Sequence, residues 1–133
     1  MKKEIMMEKY PVFTLEMERE ECRLESVDAI VAELQAKVEA DPVAAFIAVF
    51  DHYAHTMSLP DGEVAPSIRA AKNIVFCFGP KLPNPAMMAV RPRSIGVAET
   101  DNGFTLTFLE APMPAINTKM EAWVKDLAKK DAR

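Results

Sequence analysis

Asn73-Ile74-Val75-Phe76-Cys77-Phe78-Gly79-Pro80-Lys81-Leu82-Pro83-Asn84-Pro85-Ala86-Met87-Met88-Ala89-Val90-Arg91-Pro92-Arg93 is the stretch around which the fold can be read. Ile74 to Phe78 is a continuous run of β-branched, aromatic and small apolar residues, the pattern of a buried strand. Gly79-Pro80 ends it, since proline offers no ladder N–H and glycine admits backbone angles that a strand does not use. Beyond the corner, Asn84 can cap and Pro85 can start one or two helical turns that carry Met87 and Met88. Pro92 closes the segment between two arginines.

Downstream, Ser94 to Glu110 reads as a hairpin. Ile95 and Val97 alternate with Ser94, Gly96 and Ala98, and Phe104, Leu106 and Phe108 alternate with Thr105 and Thr107. Asp101-Asn102-Gly103 supplies the residues tolerant of positive φ that a tight connection uses. One face of this hairpin belongs to a core, and the other faces solvent or an interface. After Pro112 and Pro114, the spacing of Ile116, Met120, Trp123, Val124 and Leu127 predicts a C-terminal amphipathic helix. Lys125, Lys129 and Lys130 lie near its end, where cations suit the helix dipole.

Upstream, Val12 to Met17 behind Pro11 reads as a first strand, and residues 1–9 as a frayed tail. Val27, Ile30, Val31, Leu34 and Val38 recur at helical spacing. Ser26 is suited to cap that helix, Asp28 to its positive end, and Asp41-Pro42 to its stop, which places it over 26–40. Residues 43–57 admit two readings. Asp41-Pro42 and the alanines Ala44, Ala45, Ala48 and Ala54 favour helix, whereas Phe46-Ile47-Ala48-Val49-Phe50 has the composition of a buried strand. Leu59-Pro60-Asp61-Gly62 is a turn, and the rest of 58–72 reads as a surface connection.

The chain of 133 residues is expected to form one domain, 1–133, large enough for a core without metals or disulfides. Half its residues are apolar and its net charge is −4, a balance that argues against nucleic acid as a partner. Glu4 and Glu8 interrupt the N-terminal segment, so it does not read as a signal peptide, and no apolar run approaches the ~20 residues of a membrane helix. The two cysteines, Cys22 and Cys77, read as reduced thiols. A cytoplasmic protein without membrane contact is expected. The order of elements predicts an α+β fold. Its expected form is a single-layer, mostly antiparallel sheet of roughly four to five strands, packed against two longer helices with one short helix besides.

Several short motifs resemble the domain-of-unknown-function family 302. They are Ser26-Val27-Asp28 opening a helix, Phe46-Ile47-Ala48-Val49-Phe50-Asp51-His52, Ile74-Val75-Phe76-Cys77-Phe78-Gly79-Pro80-Lys81-Leu82, and Gly96-Val97-Ala98-Glu99-Thr100-Asp101-Asn102-Gly103. The resemblance covers 26–110. It departs at Phe50, at the absence of Asn between Gly79 and Pro80, and at Pro83-Asn84-Pro85. It implies that 45–50 is a strand, and it implies no activity.

Three groups of residues bear on function. Asp51, His52 and His55 have the chemistry of a general base or, with Cys77, of a soft-metal site. On a helix the two histidines share a face; on a strand they point to opposite sides. Asp51-His52 more simply ends a strand and bonds neighbouring backbone. Cys77, mid-strand, reads as a small buried hydrophobe, and Lys81 or His52 would be needed to activate it. Arg91 and Arg93 could clamp an anion beside Gly79 and Lys81, although pairing with Glu99 or Glu110 on the surface is the simpler expectation. The nine methionines read as adaptable core and interface filler.

These readings favour a non-enzymatic ligand-binding or protein-interaction module that forms a homodimer through residues 85–90 and the exposed hairpin face. No cofactor is expected. The alternative is an enzyme or metal/redox module on Asp51-His52 with Cys77 or His55.

Overall fold

The computed structural model describes residues 1–130. Six strands form one sheet in the order β1-β2-β6-β5-β4-β3, and every neighbouring pair is antiparallel. The strands are β1 (Lys2–Met6), β2 (Tyr10–Glu18), β3 (Ala44–Asp51), β4 (Ile68–Phe78), β5 (Arg93–Thr100) and β6 (Gly103–Leu109). The helices are α1 (Val27–Ala40), α2 (His52–Met57) and α3 (Pro114–Lys125).

This corrects the expected sheet of four or five strands. The strand that the sequence hid is β1, in the segment expected to fray. Its residues are exposed throughout, so no alternation of apolar and polar residues marks it. The expected short helix near Pro85 is a 3-10 helix over Pro85–Ala89, with Asn84 accepting from the Met87 N–H. The third α-helix is instead α2, directly after β3.

α1 forms where its pattern places it. Ser26 caps it by accepting from the Ala29 N–H at 3.0 Å, and Val27, Ile30, Val31, Leu34 and Val38 are buried. Those side chains and Met120 and Val124 of α3 lie on one face of the sheet, over Ile74, Phe76, Ile95, Val97, Phe104 and Leu106. Full burial of each such side chain contributes about 1.5–3 kcal/mol relative to exposure. Trp123 of α3 stacks on Phe78 at 5.5 Å between ring centroids and meets Phe76 edge-on, locking the helix over β4.

The ambiguity at 43–57 resolves into both readings in succession. Phe46 to Phe50 is strand, as the apolar run suggested, and the chain turns into α2 at His52. A bulge between Phe46 and Ala48 lets Phe46 face the core opposite Phe76 while Ile47 points outward, half exposed. β4 is longer than Ile74–Phe78, because Ile68 to Asn73 also pairs with β5.

Among the described residues, neither α1 nor α3 covers the other face of the sheet, and the short α2 reaches only its β3–β4 edge, through Phe50 and Asn73. Alternate positions on that face include Val12 and Thr14 of β2, Thr105 and Thr107 of β6, and Ser94, Gly96 and Ala98 of β5.

Candidate functional site

The corner after β4 is built on the Gly79 backbone and the Arg91 side chain. Gly79 sits at φ +94, a conformation open to glycine and strained for other residues. Its N–H donates to Val43 O at 2.7 Å, which ties the corner to the start of β3. A side chain at Gly79 would also approach the Arg91 guanidinium, whose Nη2 lies 3.4 Å from the Cβ position. Arg91 Nη1 donates to Lys81 O at 2.6 Å, so the guanidinium folds back over the corner.

Arg93 is the first residue of β5 and stands opposite Phe76, on the helix-covered side of the sheet. Only 9% of it is exposed. One Nη donates to Val90 O at 3.3 Å and the other to Leu109 O, while Nε is buried without an acceptor. Burial lowers its pKa from the usual guanidinium value, though arginine remains charged at any ordinary pH. Among the described residues, no carboxylate forms an ion pair with Arg91 or Arg93. The surface pairs expected for them go elsewhere: Glu99 is held by Arg19 at 2.7 Å and Glu110 by Lys3 at 2.5 Å.

Both arginines line a cavity of about 220 Å³ between the corner, the 3-10 helix and the start of α3. The rest of its wall is mainly apolar and includes Val43, Phe78, Met87, Val90, Pro112 and Ile116. Asp41, beside it in sequence, accepts from the Val43 N–H at 2.9 Å and from Lys119 of α3 at 2.7 Å. Gly79, Arg91 and Arg93 therefore meet at one cavity. Lys81 contributes its carbonyl to Arg91, and it lines a neighbouring hollow of about 360 Å³ on the far side of the corner.

The histidine group is built differently. Asp51 is the N-cap of α2, its carboxylate accepting from the Ala54 N–H at 2.9 Å. Because the helix begins at His52, both histidines lie against Phe50, with ring centroids at 5.1 and 5.2 Å. His52 Nδ1 is 3.0 Å from Asn73 Oδ1 on β4. Cys77 lies on the same face of β4 as Asn73 but four residues on, ~14 Å along a strand at about 3.4 Å per residue. It shares its hollow with Ile47, Lys81 and Arg91 rather than with His52. Among the described residues, no cluster of three or more His, Cys, Asp or Glu has the geometry to hold a metal ion.

Sequence reasoning missed Asn117. It is buried in α3, accepts from the Ala111 N–H at 2.7 Å and donates to Ala111 O at 2.9 Å, which fixes the cavity wall at Ala111 and Pro112. A polar residue among the apolar positions of a helix was its only signal.

With this geometry in hand, comparison with known sequences decides the family. The sequence model described as Family of unknown function (DUF6858) matches residues 1–129. The chain belongs to that family. The resemblance to family 302 is thereby corrected: the match is to a different family of unknown function, and the strand that the resemblance implied for 45–50 rests on the fold itself. No curated protein and no solved structure matches this DUF6858 chain. No helix among its described residues is long and apolar enough to cross a membrane.

Proposed function

We propose that this DUF6858 chain is a non-enzymatic module that binds a small molecule in the corner cavity and acts as a homodimer. The observation that carries the ligand reading is Arg93. A guanidinium with this burial and no carboxylate beside it is costly in a fold that needs it only for structure. At the wall of an apolar cavity, the same charge has a use when a ligand arrives.

The dimer reading is supported by the sheet face opposite α1 and α3. Its centre is made of Thr14, Ser94, Gly96, Ala98, Thr105 and Thr107, without a charge, while Lys2, Glu4 and Glu16 stand at its rim. Depletion of charge at the centre is the anatomy of interfaces. Six strands at about 4.8 Å and about seven residues at about 3.4 Å give roughly 700 Å² per copy, near the ~800 Å² per partner of a standard interface.

Native mass spectrometry of the purified protein tests the ligand reading. A low-mass adduct is expected on the wild type and not on Ile116→Trp, which fills the cavity. If no adduct appears and no added small molecule raises the melting temperature of the wild type above that of Ile116→Trp, the reading is wrong.

A further inference from the structure

The cavity wall also limits the chemistry of what can fill it, given that it binds a ligand at all. We infer that the ligand is an amphipathic monocarboxylate, whose carboxylate meets the Arg91/Arg93 pair and whose apolar body fills the space toward Val43, Phe78 and Ile116.

Size sets the first limit. An engineered cavity of about 150 Å³ accepts benzene. The 220 Å³ here suits a body somewhat larger, such as a medium-length acyl chain or a substituted aromatic ring.

Charge sets the second. The two guanidiniums have no acidic partner among the described residues, and Arg93 is removed from water, so its field reaches the cavity with little screening. A neutral ligand of the same shape would leave that charge as it stands.

Donor count sets the third. A guanidinium has five N–H donors in a planar fork. Carbonyls take one bond from each Arg93 Nη and one from an Arg91 Nη. The Gly79 N–H, a backbone donor of the corner, is already given to Val43 O. The remaining Nη donors match the two oxygens of one carboxylate. A phosphate dianion would bring more acceptors and more charge than this apolar wall can satisfy, and its desolvation would go uncompensated.

Calorimetric and thermal-shift titrations with octanoate, octan-1-ol, acetate and inorganic phosphate test this class. Octanoate is expected to bind and to raise the melting temperature. Octan-1-ol should bind at least tenfold more weakly, and acetate and phosphate not detectably. Arg91→Met, whose side chain is outside the core, should fold normally and lose at least tenfold in octanoate affinity while changing octan-1-ol little. Arg93→Lys serves as a second variant, because Arg93→Met strands the Val90 and Leu109 carbonyls. Lys keeps the charge but loses the fork, and weaker octanoate binding is expected. Equal binding of octanoate and octan-1-ol, or binding of phosphate in place of octanoate, would overturn the monocarboxylate class and leave the ligand-binding reading intact. Failure of all four probes, with no adduct on the purified protein, would overturn both.

Discussion

Asn117 and Asp41 show at the residue scale how polar groups hold the cavity wall. Asn117 closes a two-bond ring with the backbone of Ala111, in a place shut off from water. Asn117→Ala leaves a buried N–H and C=O unpaired, and a loss of about 2–3 kcal/mol is expected in urea unfolding. Asn117→Asp keeps the acceptor but sets a buried carboxylate against the Ala111 carbonyl, so at pH 7 it should lose at least as much. Asp41 gives a pH dependence. Burial would raise its pKa, but the bonds from Lys119 and the Val43 N–H outweigh it, and the net shift is below the ordinary value near 3.8. A carboxyl lowered on folding adds stability above its unfolded pKa, and that stability is lost as pH falls through the folded one. Wild-type stability should therefore decline below about pH 4, and Asp41→Asn should be less stable at pH 7 with a shallower acid limb. Equal acid slopes for the two proteins, measured by urea midpoints against pH, would remove Asp41 from the account.

Elements differed in how far the sequence disclosed them, and the difference follows burial. α1 and the β5–β6 hairpin each bury one side, so their apolar residues recur with period 3.6 or 2 and could be read directly. β1 buries nothing, and β4 before Asn73 alternates weakly, so neither left a signal. The β5–β6 turn was found, but for a partly wrong reason. Asp101 and Asn102 do not take positive φ; Gly103 is required because a Cβ there would stand 2.1 Å from Met17 O on β2. Positive φ occurs instead at Met7 (54°) and Glu8 (65°), between β1 and β2, where no glycine pointed to it. Of the site, Gly79, Arg91 and Arg93 were legible as a polar group beside a corner. The cavity was not, because Val43, Pro112 and Ile116 come to it from distant parts of the chain. A side chain in the left-handed region costs roughly 1–2 kcal/mol. Glu8→Gly should relieve part of this, raising stability by about 0.5–1 kcal/mol and slowing amide exchange in β1. Unchanged exchange in β1 would mean that the turn does not limit the hairpin.

For the molecule as a whole, one sided coverage of the sheet is the feature that the fold leaves unfinished. α1 and α3 occupy the face that carries Phe76, Ile95 and Leu106, and the opposite face offers a second copy a neutral centre. Gly96 lies in that centre and permits a clean test. It does not use positive φ, and a Cβ there would meet nothing nearer than Asn73 Nδ2 at 3.4 Å, with Thr107 Cγ2 at 3.5 Å and Thr107 O at 3.7 Å. Gly96→Ala should therefore fold and remain dimeric. Gly96→Arg also has room to extend outward in a monomer, but in a dimer it sets two like charges into a desolvated centre, which costs several kcal/mol. Sedimentation velocity at micromolar concentration should give a dimer for the wild type and Gly96→Ala, and a monomer for Gly96→Arg with its far-UV circular dichroism preserved. A wild type that sediments as a monomer across the range, or a Gly96→Arg protein that remains dimeric, would place the interface elsewhere or abolish it. The cavity opens at the β4–β5 corner, on the helix-covered side. Octanoate binding should therefore survive in the Gly96→Arg monomer, separating the two halves of the proposed function.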